Sequence, residues 1–313
     1  METYQAIVLG ILQGLTEFLP VSSSGHLALA QYSFGIDEPT LFFDVSLHMG
    51  TLLAVAVVFF KDIRDIVMAV IRFMANMIMP HTLKGRNGAS TENLQHGERI
   101  PGMIGDDIHL RVALLIIAGS IPTAIMGLFF KQYVDFLSGS INFVGCMMLV
   151  TGTFLWLTRG VEPSGTGIRG LAAKNADSSA VNHPDHVPGS GMGMKQALII
   201  GTCQGMAVLP GISRSGATIS AAIFLGINRE AAARFSFLLS MPAILGAELL
   251  AFRDFLSQGI VFDISILYGT FISFVVGYLA LIFLITLVKN GKFYLFAPYC
   301  WIVGGVSILA GVW

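Results

Sequence analysis

The sequence predicts an all-α polytopic membrane protein, an inverted-topology repeat of about six full transmembrane helices plus two re-entrant helical hairpins. Three observations predict it. Hydrophobic residues fill 54% of the 313 positions and charged residues only 12%, about half the charged share of a soluble domain. Apolar runs of about twenty residues recur, each long enough to cross a hydrocarbon core of roughly 30 Å. A segment broken by Pro, Ser and Gly near the N-terminus reappears in the second half. No period-two alternation points to a barrel, so backbone groups in lipid must be satisfied inside helices.

The first hairpin, 6–34, has an apolar arm Ala6–Leu19, a Pro-Val-Ser-Ser-Ser-Gly break and a shorter arm Leu27–Phe34. Neither arm is a comfortable span, so the polar tip is expected at membrane depth. Spans follow near 42–60, 112–130 and 141–158, which complete a first half of 1–159. Between the first two, 61–111 reads as a cytoplasmic loop, with Met79–Arg111 rich in Gly, Asn, Asp, Glu and His. Gly, Ser, Pro and Asp crowd 160–195, a cytoplasmic linker loop. The second half, 196–313, repeats the order: a hairpin over 196–228, then spans near 235–251, 264–288 and 296–313.

The N-terminus lacks a basic n-region and a small-residue cleavage site, so the first apolar segment is expected to be retained. Cys146, Cys203 and Cys300 lie in apolar stretches without metal-ligand spacing and read as small buried hydrophobes. His81, His96, His109, His183 and His186 fall in the two polar segments with no HxxxH spacing, and are read as loop residues. A net charge of −1 says little about partners; the bilayer is the implied one, no nucleic acid is expected, and a homo-oligomer is left open.

Basic residues set the orientation. Fifteen of the eighteen Lys and Arg fall on one face when the spans alternate; Lys131 and Arg253 fall on the other, and Arg214 on neither. The crowded face is expected to be cytoplasmic, with both termini outside.

Gly10–Asp37 aligns without gaps on Gly201–Asn228, at an offset of 191. The identities include Gly10/Gly201, Gln13/Gln204, Gly14/Gly205, Ser22/Ser213, Ser24/Ser215 and Gly25/Gly216. Three spans separate the copies, so the second hairpin is expected to enter from the opposite face and meet the first near the midplane.

The first tip reads Gln13-Gly-Leu-Thr-Glu17-Phe-Leu-Pro20-Val-Ser22-Ser23-Ser24-Gly25-His26. Gln13 and Glu17, four apart, share a helix face. The serines and the N–H groups opening the next helix make an anion cradle. Glu17 and His26 are ionisable groups in an apolar context, expensive there unless functional. The second tip reads Pro210-Gly-Ile-Ser213-Arg214-Ser215-Gly216-Ala-Thr218. Arg214 presents a planar fork for phosphate oxygens, extended by Ser213, Ser215 and the N–H groups near Gly216. A cation clamp, hydroxyls, a carboxylate and an imidazole together suit phosphoryl transfer. Either a serine activated by His26, or a water activated by His26 or Glu17, is a competent nucleophile. Glu17 is also a candidate ligand for a divalent cation.

At these tips the chain resembles the undecaprenyl-diphosphate phosphatase family, the bacitracin-resistance type. The likeness continues through Phe43-Asp-Val-Ser-Leu-His-Met-Gly50 and Arg234-Phe-Ser-Phe-Leu-Leu-Ser-Met-Pro242. The resemblance implies hydrolysis of undecaprenyl diphosphate to the monophosphate and phosphate, recycling the carrier lipid for cell-wall synthesis. It implies a Mg²⁺ or Ca²⁺ requirement and, in the inner membrane, a site open to the periplasmic face. By motif match, Glu17, Ser23, His26 and Arg214 would be catalytic. Ser22, Ser213 and Ser215 would assist binding, beside Gln13, Ser24, Gly25 and Gly216. Some members carry Glu where Gln13 stands, which leaves Glu17 as the carboxylate of this tip. The competing reading is a transporter or scramblase of polyprenyl phosphate lipids, which needs the Arg and N–H donors but no general base.

Overall fold

The computed structural model describes residues 2–36, 41–78, 108–161, 191–256 and 264–311. Among them every regular element is helical: α1 Thr3–Phe18, α2 Ser23–Ser33, α3 Leu41–Val58, α4 Phe60–Ile78, α5 Ile108–Ser138 and α6 Ile141–Leu157, then α7 Met194–Met206, α8 Arg214–Phe224, α9 Arg229–Leu256, α10 Ile264–Lys289 and α11 Ala297–Ala310. Short 3₁₀ turns, Thr158–Gly160 and Phe293–Phe296, follow α6 and precede α11. Five helical stretches among the described residues are long and apolar enough to cross a membrane, six if the bent α3–α4 pair counts as one span. The chain is a polytopic all-α membrane protein.

Two expectations need correction. The segment from 61 was expected to open a loop, yet Phe60–Ile78 is a helix, bent by 79° from α3. Its charges, Lys61, Asp62, Arg64, Asp65 and Arg72, disguise an amphipathic pattern that a search for uncharged runs passes over. Ile63 and Ile66 pack on the core, while Arg234 of α9 pairs with Asp62 at 2.9 Å and ties the bend down. The remainder of that expected loop up to 107, with His81 and His96, and 162–190, with His183 and His186, lie outside the described residues. His109 belongs to the first turn of α5, which begins earlier than the expected span at 112. The second correction concerns the thiols. Only Cys300 is buried; Cys203 is half-buried and Cys146 exposed. A thiol facing lipid is already in an apolar solvent, so apolar sequence context does not demand burial.

The two halves pack reciprocally. α1 lies against α10 of the second half, and α7 lies against α5 of the first. Small residues make these approaches close. A Cβ on Gly10 would run into the backbone of Gly269, and one on Gly201 into the backbone of Gly119. Gly119, Thr123 and Gly127 of α5 recur 150 residues later as Gly269, Ser273 and Gly277 of α10. Thr123 donates to the Gly201 carbonyl at 2.8 Å, and Ser273 to the Leu47 carbonyl at 2.9 Å. In lipid, where no hydrophobic effect draws helices together, such small-residue contacts and interhelical hydrogen bonds carry the association. α6 on α11 and α3 on α9 and α10 complete the bundle. This packing holds the two hairpin tips together at the centre.

Candidate active site

Each tip is a helix stop followed by a helix start. α1 ends at Phe18, because Pro20 cannot donate to Thr16 and disfavours helical backbone at Leu19, which is extended at φ −61°, ψ 139°. The chain then turns through Ser22 at φ +67°, a left-handed conformation that costs a non-glycine residue about 1–3 kcal/mol. Its hydroxyl is buried without a partner. Strain and an orphaned hydroxyl at one residue mark a site held ready for a ligand. In the second tip Gly211 takes the positive φ, +93°, close against the Val144 carbonyl, and Ser213 caps α8 through its Oγ, which accepts from Gly216 N at 3.1 Å.

The repeat places Ser23 and Arg214 at equivalent positions, each the first residue of its helix. Both converge on Glu17. Ser23 Oγ donates to Glu17 Oε2 at 2.8 Å, Gln13 Nε2 donates to the same oxygen at 3.1 Å, and Arg214 Nη1 lies 3.5 Å from Oε1. The Glu17 side chain is only 6% exposed, so a cation partner is needed to offset the cost of burying it. Among the described residues that long ion pair is the one contact found for the Arg214 guanidinium, whose side chain is 34% exposed. Its remaining N–H groups, without a hydrogen-bond partner among the described residues, can donate to phosphate oxygens.

His26, one turn after Ser23, shares its helix face. Its Nδ1 lies 2.8 Å from the Ser22 carbonyl oxygen, so Nδ1 carries the proton and donates. Nε2 lies 2.6 Å from the Tyr299 hydroxyl and, in the neutral ring, accepts from it. The imidazole is thus oriented as a base by Tyr299 and Ser22, while the Ser23 hydroxyl is engaged by Glu17 and not by His26. Ser213 and Ser215 hydroxyls lie 3.2 Å apart, both buried. Ser24 is exposed, and Gly25 packs on Val144 and the Ser22 hydroxyl. Gly216 donates inward to Ser213, so its N–H serves the cap.

Several residues join the site that sequence reasoning left without a role. His48 of α3 places Nε2 3.7 Å from Glu17 Oε2 and Nδ1 3.8 Å from Glu248 of α9. Ser236 and Ser240 of α9 line a cleft with Glu17, Arg214 and Thr218, and the Ser236 hydroxyl is buried without a partner. Tyr299 comes from α11, whose Cys300 donates to the Pro20 carbonyl at 3.2 Å and braces the tip. His48 and Glu248 carried the same signal as Glu17, an ionisable group inside an apolar span. Nothing local in the sequence marks Tyr299.

A divalent cation can be weighed against these atoms. No cluster of three or more His, Cys, Asp or Glu among the described residues is poised for a metal. Gln13 Oε1, however, is a buried acceptor without a partner beside the Glu17 carboxylate. A hard cation that binds through one or two protein oxygens and completes its shell with substrate phosphates fits this pair.

Comparison with known proteins agrees with the geometry. The family model described as bacitracin resistance protein BacA matches residues 6–306. An undecaprenyl-diphosphatase of Desulforapulum autotrophicum is 50% identical over 99% of both chains. One of Desulfosudis oleivorans is 50% identical over the full length of both, and one of Desulfatibacillum aliphaticivorans 40% identical over 99% of both. With two tips folded onto one carboxylate and a match across nearly the whole sequence, the chain belongs to the BacA bacitracin-resistance family.

Proposed function

We propose that this chain hydrolyses undecaprenyl diphosphate to undecaprenyl phosphate and inorganic phosphate, returning the carrier lipid to cell-wall synthesis. The observation that carries the chemistry is the convergence of Ser23 and Arg214, from opposite halves, on the buried Glu17 carboxylate. The substrate follows from full-length relatives named for it.

Arg214 clamps the terminal phosphate, with the hydroxyls of Ser22 and Ser236 as further donors. Ser23 Oγ attacks the terminal phosphorus. Its proton passes to Glu17, the Oγ–P bond forms, and the anhydride P–O bond breaks to release undecaprenyl phosphate. Water, taking the place of the Tyr299 hydroxyl at His26 Nε2, then attacks the phosphoserine and gives a proton to that nitrogen. The Oγ–P bond breaks, Glu17 returns its proton to Ser23, and phosphate leaves carrying the other. Glu17 and Gln13 would hold Mg²⁺ or Ca²⁺, which when bound neutralises charge on the phosphate oxygens.

The distribution of Lys and Arg supports an inverted-topology arrangement with both termini and the site on the periplasmic side. A cysteine placed near Lys131 should then react with an impermeant thiol reagent from outside; labelling only after lysis would reverse the orientation. The reciprocal packing of the halves favours a second reading, a carrier of polyprenyl phosphate lipids. Phosphate release by the detergent-purified protein, with and without EDTA and beside His26→Ala and Arg214→Ala, separates the two. Metal-dependent release lost in both variants supports the phosphatase. Lipid binding without release supports the carrier.

A further inference from the structure

A second cavity, of about 440 Å³, opens between α3, α9 and α10. That size is in the range of small-molecule pockets, roughly 300–1,000 Å³. Its wall is mainly apolar, with Met49, Leu245, Leu249, Ile266 and Leu267 joined by Phe42 and Val45. Leu249 and Leu267 are 70% and 56% exposed, so the rim opens on the apolar surface of the bundle. Among the described residues its one ionisable lining residue is Glu248, whose carboxylate faces His48 at 3.8 Å. The opposite nitrogen of that imidazole faces Glu17 at 3.7 Å. The cavity therefore starts one side chain away from the catalytic carboxylate and runs outward to lipid.

We infer that this cavity receives the head-proximal isoprene units of the substrate, an inference that rests on the phosphatase reading. Two arguments select the tail over the headgroup. The wall is apolar and suits a hydrocarbon chain, which in lipid is held by close packing against it and not by escape from water. Among the described lining residues the only charge is a carboxylate, which repels a diphosphate and keeps it on the Arg214 side of His48. The polar cleft of Arg214, Thr218, Ser236 and Ser240 offers a prenyl chain no comparable surface. A long chain exceeds the cavity, so the site reads the first few units and leaves the remainder in lipid. Glu248 and His48 mark the boundary between the two parts of the substrate.

The test is photolabelling of the full-length purified protein with a benzophenone-bearing prenyl methylenebisphosphonate, which cannot be hydrolysed. Undecaprenyl methylenebisphosphonate serves as competitor. Labels displaced by the competitor should map to the peptides carrying Met49, Leu245 and Leu267. Leu245→Trp should weaken competed labelling about tenfold, the low end for a misfit in an apolar pocket. Leu279→Trp, on α10 but outside the cavity and 62% exposed, should leave it unchanged. Competed labels on other helices, cavity labels that the competitor does not displace, or an inert Leu245→Trp would each overturn the inference. Labelling needs no turnover, so a protein that labels as described yet releases no phosphate would refute the phosphatase and leave the tail site standing.

Discussion

The two hairpin tips share a helix–break–helix plan and differ in the side chains they carry. Offset by 191 residues, Gln13 answers to Gln204, Glu17 to Val208, Ser23 to Arg214 and His26 to Ala217. The first tip carries a carboxylate, a hydroxyl and an imidazole; the second carries a guanidinium. The two glutamines show the same division. Gln13 turns its amide to Glu17, whereas Gln204 donates to Thr123 and the Leu239 carbonyl and serves packing. The positive-φ residues differ too: Ser22 is strained and its hydroxyl orphaned, while Gly211 takes its turn without that cost. A duplicated frame thus needs only a few changed side chains to become chemically asymmetric.

The largest effects should come from the residues that differ between the tips. Arg214→Ala is expected to lower kcat/KM by about 10³-fold or more, as loss of a charge clamp does. Arg214→Lys should recover little of it; near-full activity in the lysine variant would remove the bidentate role. Ser23→Ala should cost about 10²–10⁴-fold, while the exposed Ser24→Ala stays within about twofold of the parent. Equal, mild losses would assign the attack to water and leave Ser23 a binding residue.

Smaller effects sharpen the contrast. Tyr299→Phe removes the hydroxyl that His26 Nε2 accepts from, and is expected to lower kcat about tenfold with KM nearly constant. A rise in KM alone would make Tyr299 a substrate contact. Gln204→Leu strips two buried hydrogen bonds and should lower thermal stability by about 1–3 kcal/mol with kcat/KM unchanged. Gln13→Leu, its counterpart, should instead cut activity and metal response. If both glutamine variants lost stability alone, the division of labour between the tips would fail at that position. Ser22→Gly should gain about 1 kcal/mol of stability by relieving the left-handed backbone, at some cost in turnover.

Much of this was legible before any fold was known. Class and span count follow from local features, run length and breaks, and the same reading singles out Glu17, His26 and Arg214 as charges where lipid should forbid them. α4 was misjudged because its charges lie on one face of a helix, which a count along the chain does not see. His48 and Glu248 were visible by the rule that singled out Glu17, but the rule does not say which ionisable residues share a site. Ser23 was matched to His26 by proximity in sequence, whereas its hydroxyl turns to Glu17 on the preceding helix.

The amino-acid sequence by itself determined the solvent, the duplicated hairpins and the residue types at their tips, because hydropathy and turn chemistry act over a few residues. Only the tertiary structure decided which of those groups meet. Ser23 and Arg214 share a carboxylate, and Tyr299 reaches His26 across 273 positions, because Gly10 and Gly201 let each hairpin pack on the other half. The apolar cavity beside Glu248 is likewise tertiary: it lies between α3 of the first half and α9 and α10 of the second. Helix packing is a sum over the whole bundle, and no short stretch of sequence contains it.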